Sequence, residues 1–215
     1  MAQAVAASLS PVQAPSTPLS SRGRATRQRL LTAARGVFEE RGFPDTRVSH
    51  IAEAAGVAYG SFYTHFPSKE AIFYEVASQL FEEMFAPDDS PPGGSPRERL
   101  EHANRTYWER YRRNARLMGI VEQVAAIDEG FQQVRHRHRQ DTTDRMASSI
   151  RRWQDQGLVD EALDPAVAAQ ALGAMLDRTL YLRYVLGEGA DGEKALDTLN
   201  LLTTRSLGLD VSPTT

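Results

Sequence analysis

The sequence predicts an all-α fold in two parts, an N-terminal three-helix helix-turn-helix domain joined to a larger helical domain, with about nine helices in all. Three observations carry this. Apolar residues recur at three- and four-residue spacings from Arg24 onward, and no segment alternates with the period of two that a strand requires. Two short amphipathic segments meet at Gly56, which permits the tight turn between them. Residues 86–96, APDDSPPGGSP, break the helical pattern with four prolines and two adjacent glycines, marking a connector.

Taken in order, the first helix runs from about Arg24 to Arg41, with Leu30, Ala34, Val37 and Phe38 on one face, Gly42 as its stop and Phe43 placed to seal that end. The Pro44-Asp45-Thr46 turn leads into a second helix, with Thr46 read as its N-cap and Val48, Ile51, Ala52 and Ala55 as its inner face. The third helix carries an apolar stripe of Val57, Phe62 and Phe66. Tyr59 and Tyr63, four residues apart, fall on a different face with Gly60 and Thr64. Two aromatics are thus aimed at solvent, as a helix-turn-helix requires when one side of its second helix packs inward and the other enters a major groove. Ser68 opens a fourth helix as N-cap, with Ile72, Phe73, Val76, Leu80 and Phe81 as its buried stripe.

The order and spacing of four runs, A-A-R-x-x-F from Ala33 to Phe38, Gly42-Phe43, I-A-x-x-A-G-V from Ile51 to Val57, and S-F-Y-x-H-F-x-S-K-E from Ser61 to Glu70, resemble the DNA-binding domain of the tetracycline-repressor-like (TetR) family of transcriptional regulators. The resemblance spans roughly Arg24 to Val76. It implies that Tyr63, His65 and Lys69 grip backbone phosphates, and that Tyr59, Gly60, Ser61 and Thr64 reach base edges. Two positions depart from the family pattern. Ala58 lacks the hydroxyl that usually caps the third helix, and Ser49 stands where many members have arginine, leaving Arg47 as a possible substitute for a guanine contact. The resemblance further implies a homodimer on a palindromic operator and a repressor released by a small effector, which a largely apolar pocket between helices would make lipophilic.

Composition fits this picture. The 215 residues lack cysteine, which excludes disulfides, thiol catalysis and cysteine zinc sites and makes the cytoplasm the expected compartment. Residues 1–21 hold no lysine or arginine and no long apolar run, so they read as a disordered arm rather than a secretory signal or membrane span. Arg22, Arg24, Arg27 and Arg29 follow it, either as a basic lead-in near phosphates or as a solvated first turn. Net charge is -3, yet residues 22–74 carry eight basic and five acidic side chains, about +3, which leaves about -6 from Glu75 onward. Such asymmetry is expected when one domain meets DNA and the other does not.

The domains are therefore expected at 22–68 for DNA binding and 69–208 for effector binding and dimerisation, with a disordered tail at 209–215. Beyond the connector, helices are expected at about 96–114, 116–126, 128–156, 165–186 and 192–207. Candidate effector contacts are Tyr107, Trp108, Tyr111, Met118, Gln123, Met146, Trp153 and Asp177, for each of which core packing is the competing role. Leu172, Met175, Leu176, Thr179, Leu199 and Leu202 make the expected dimer face on the last two helices. Asp177 and Arg178 interrupt an apolar run and either pair, cross the interface or hold a ligand. His136 and His138 lie about 200° apart on a helix, so they do not converge on a metal and read as a solvated basic face. No cofactor, metal or catalytic constellation is expected. The rival reading is a helical small-molecule carrier with a vestigial DNA-binding domain.

Overall fold

The computed structural model describes residues 20–86, 94–189 and 191–209. The expected arm before residue 20, the middle of the connector and the tail after Leu209 lie outside them. Among the described residues there are eight helices and no strand: α1 (Ser21–Asp45), α2 (Val48–Ala54), α3 (Tyr59–Phe62), α4 (Lys69–Phe85), α5 (Pro96–Ala125), α6 (Glu129–Asp155), α7 (Pro165–Tyr184) and α8 (Gly192–Ser206). Eight replace the expected nine because the segments predicted at 96–114 and 116–126 form one helix. Nothing between Asn114 and Leu117 breaks a helix, and α5 is set firmly at its start by a capping box in which Ser95 Oγ accepts from the Glu98 N–H while the Glu98 carboxylate accepts from the Ser95 N–H.

The chain forms two compact units. Of the described residues, the first comprises those up to Leu80 together with Ile120–His136, and the second comprises those of Phe81–Gly119 together with those from Arg137 onward. In the first, α1 begins at the Ser20 N-cap, whose Oγ accepts from Gly23 N, and its helical run breaks at Gly42 with φ 75°. The expected N-cap role of Thr46 is corrected here. Thr46 is buried and its hydroxyl donates to the Gly42 carbonyl at 2.6 Å, closing the broken end of α1, while Arg47 takes the N-cap position of α2. The Arg47 N–H donates to His50 Nδ1 at 3.2 Å. Gly56, with φ 63°, ends α2 in a Schellman arrangement, its N–H bonding to Glu53 O and that of Val57 to Ala52 O.

Phe38, Phe43 and Phe73 pack ring on ring with centroids 4.9–5.8 Å apart, which joins the end of α1 to α4. Ser68 caps α4 through the Ala71 N–H. Asp128 does two jobs beside it, accepting from the Phe131 N–H at the start of α6 and from the Tyr74 hydroxyl at 2.6 Å. Burial first, and that carboxylate second, push the Tyr74 phenol far above its usual range. In the second unit, Leu100, Ala147, Ile150, Trp153, Val159, Ala169 and Leu207 form one apolar cluster drawn from α5 to α8. Gly119 lets α5 approach the end of α7, since a β-carbon there would lie 2.9 Å from Val185 Cγ1.

Candidate nucleic-acid interface

The recognition segment is divided by burial as its period demands. Phe62 and Phe66 are buried, as are Ile51 and Ala52 of α2 and Leu30, Ala34 and Phe38 of α1. Tyr59, Gly60, Tyr63 and Thr64 are exposed, and Ser61 is half-buried. Arg47 and Ser49 are exposed at the start of α2. The regular part of α3 is a single turn, shorter than the stripe from Val57 to Phe66 suggested. Ala58 supplies no side-chain cap, Gly60 weakens the interior, and the chain continues through tighter bonds, Thr64 N to Ser61 O and His65 N to Phe62 O.

Tyr59 and Tyr63 are coupled. Their hydroxyls share a hydrogen bond of 3.0 Å and their rings meet edge to face at 5.5 Å, although the side chains are 56% and 47% exposed. That bond raises the Tyr63 phenol above its ordinary value. Two polar tips that the resemblance assigns to different tasks, phosphate and base, are thereby held as one unit.

His65 and Lys69 sit less freely than sequence suggested. The Lys69 ammonium donates to the Phe43 carbonyl at 2.8 Å and lies 4.3 Å from the centre of the Phe43 ring, leaving two N–H donors for an outside acceptor. His65 is half-buried and its Nδ1 is buried without a partner. Desolvation first, and the nearby Arg27 charge second, lower its pKa below 6.5, so the ring is neutral at pH 7. The sequence groups Arg27 with Arg22, Arg24 and Arg29 in a basic lead-in, but the structure gives it a specific place. It forks onto both oxygens of Glu75 and lies 4.6 Å from the centre of the Phe66 ring, pinning α1 to α4 across the end of the recognition segment. Only the aromatic neighbour at Phe66 and the acid at Glu75, far apart in sequence, give it that role.

Residues 30–76, which contain this arrangement apart from Arg27, match the family described as bacterial regulatory proteins, tetR family. This segment is similar to the DNA-binding part of the tetR family. Its relatives include the HTH-type transcriptional regulator YdgC of Bacillus subtilis, 50% identical over 62 residues that are 29% of this chain and 32% of that protein. The HTH-type transcriptional repressor KstR of Rhodococcus jostii is 32% identical over 75 residues, 35% of each chain. The chain thus spans about a third of the length of the curated relatives it matches, and that third holds the helix-turn-helix. A TetR-like transcriptional regulator from Rhodococcus sp. RHA1 extends the likeness in fold, with a TM-score of 0.66 and 26% identity over 88% of this chain and 98% of that one.

Outside the matched segment, the expected effector contacts are not all gathered into one place. Trp108 lines a cavity of about 250 Å³, which it shares with Arg105, Arg112, Arg183, Tyr184 and Glu193. Trp153 and Met146 belong to the apolar cluster, Tyr111 and Met118 are buried, and Gln123 is exposed in the other unit, so none of these lines that cavity. Tyr107 donates to Asp177 Oδ1 at 3.2 Å, and Arg139 holds Oδ2 at 2.5 Å. Asp177 therefore pairs with Arg139 and not with its neighbour Arg178, which is exposed with its guanidinium 4.9 Å from the Tyr181 ring centre. His138 is also corrected. It stacks on Phe81 at 4.9 Å and is half-buried, while His136 is exposed. No group of His, Asp and Glu able to hold a metal occurs among the described residues.

The expected dimer face is split. Leu199 is buried in the chain's own interior and is not available to a partner, because α8 turns Leu196, Leu199, Thr203 and Leu207 inward. Leu172, Met175, Leu176 and Thr179 are half-buried, and Thr179 bonds back to Met175 O. Leu202 is 50% exposed, and Leu201 and Val167 join it as exposed large apolar side chains. No described helix is long and apolar enough to cross a membrane.

Proposed function

We propose that this chain is a DNA-binding transcriptional repressor that acts as a homodimer on a palindromic operator and is released by a small ligand. The observation that carries the reading is the face of the recognition segment, where Tyr59, Gly60, Tyr63 and Thr64 stand in solvent directly behind a packed Phe62 and Phe66. Tyr59, Gly60, Ser61 and Thr64 address bases, with Arg47 and Ser49 at the groove edge, and Tyr63, His65 and Lys69 hold phosphates. A neutral His65 donates a hydrogen bond to phosphate without a charge, which suits positioning more than raw affinity. KstR, a transcriptional repressor by name, supports the sign of regulation through its matching helix-turn-helix.

Residues 22–68 form the DNA-binding domain and 69–208 the effector and dimerisation domain, with α4, the first element of the second, as the link between them. A ligand that prefers the conformation with mis-spaced recognition segments lowers operator affinity by its differential affinity for the two states. Binding of the full chain to the DNA upstream of its own gene tests the reading, with log affinity falling steeply against log salt concentration. Absence of measurable binding sinks the repressor reading and leaves the helical carrier in its place.

A further inference from the structure

We infer that the cavity walled by α5, the end of α7 and the start of α8 is a binding site for a small organic anion, an aromatic carboxylate or phosphate ester. The inference rests on the proposed ligand-released regulator only in naming this ligand as the effector. The physical case is which of the cavity's cations are already engaged. Arg105 is paired with Glu193 at 3.2 Å, and the Asp191 carboxylate accepts from the Glu193 N–H as the N-cap of α8. The lining is formally neutral, three arginines against Glu109, Asp191 and Glu193, but Arg112 and Arg183 are the two of its arginines without an ion-pair partner among the described residues. Neither arginine makes a hydrogen bond or ion pair among the described residues, although arginines are otherwise widely paired in this chain, as at Glu75, Glu122 and Asp177.

Arg183 is the decisive group. Its guanidinium lies 5.4 Å from the Tyr184 ring centre on one side and against Gly192 on another, where a β-carbon would come within 3.1 Å of Nη2 and 3.2 Å of Nε. Its Nε–H is already withdrawn from water and has no acceptor. A desolvated donor without a partner is costly, and a planar five-donor fork is complementary to carboxylate and phosphate oxygens. Trp108 and Tyr184, edge to face at 5.7 Å, supply an aromatic wall beside it. A volume of about 250 Å³ admits a single-ring compound carrying one acidic group. The expected lipophilic effector is thereby narrowed to an amphiphilic one, with an apolar body and one anionic end.

Isothermal titration of the full chain without DNA, using benzoate and phenyl phosphate against the neutral benzamide, tests this. Both anions are expected to bind about tenfold or more tightly than benzamide. Arg183→Gln and, on an exposed helix face where folding is not at stake, Arg112→Gln are each expected to weaken the anions by about tenfold while leaving benzamide unchanged. Arg151→Gln, on the exposed face of α6 and outside the cavity, should change nothing. Equal binding of benzamide and benzoate, no binding of any probe by the folded chain, or undiminished anion binding by both cavity variants overturns the inference. Operator binding measured separately keeps the two readings apart: loss of the anion site leaves DNA binding standing, and a chain that binds anions but no DNA overturns only the regulator.

Discussion

At the residue scale, each side chain proposed to grip phosphate is constrained by what it already holds. Lys69 is both a staple on the Phe43 carbonyl and a cation with donors to spare. Lys69→Gln is expected to cost about 1 kcal/mol of stability in urea unfolding and, if the phosphate role holds, to reduce the salt slope of DNA binding by about 1 per domain. An unchanged salt slope would leave Lys69 a staple only. His65 gives a pH-dependent counterpart. Its folded pKa lies below the ordinary 6.5, so the unfolded chain binds the proton more readily. The stability tied to neutral His65 is complete above pH 6.5 and is lost as pH falls through the window below it, down to the folded value. His65→Asn is expected to shrink the drop in melting temperature between pH 7.5 and 5.5, and an identical drop in both proteins would remove His65 as its source. The residues Tyr59, Tyr63 and Gly60 were legible from spacing alone, because burial of Phe62 and Phe66 fixes where their neighbours point. Arg27 was not, since its partners come from α4 and from the turn before it.

At the element scale, helix ends decide the organisation. Gly42, Gly56 and Ser68 mark helix boundaries that propensity and capping reveal locally. Thr46 misled for a physical reason. A threonine before a helix suits an N-cap, yet here the broken turn at Gly42 leaves a carbonyl within 2.6 Å, and the hydroxyl donates to that acceptor. Asp128 shows how one residue joins elements, capping α6 while bonding Tyr74 of α4. Asp128→Ala removes both bonds and is expected to destabilise the chain by about 2 kcal/mol, read as a shift of the urea midpoint at unchanged slope. A loss near zero would mean that water replaces both partners. In the second unit, Arg105, Trp108, Glu109 and Arg112 fall at i, i+3, i+4 and i+7, a stripe that sequence does contain. It went unread because arginines on a helix ordinarily face water, and only Arg183 and Gly192, brought from α7 and α8, turn that stripe into a wall.

At the scale of the whole molecule, association is the property most open to test. Leu202 and Val167 are apolar side chains that the single chain leaves in solvent on α8 and α7. If these helices pair across a two-fold axis, Leu202→Glu keeps the fold, because the side chain is already half out, and converts a dimer into a monomer in light scattering. DNA affinity should fall with it, since one domain alone offers few phosphate contacts. A variant that stays dimeric places the interface elsewhere.

The sequence by itself determined the all-α class, the helix-turn-helix and the exposed face of its third helix, because short-range periodicity and capping are written in adjacent residues. The tertiary structure decided which polar groups are already spoken for. It joined Arg27 to Glu75, Lys69 to Phe43 and Asp177 to Arg139, withdrew Leu199 into the interior and left Arg183 without an acceptor. Each of those outcomes depends on a partner 26 or more residues away or on burial by another helix, and local sequence carries no record of either.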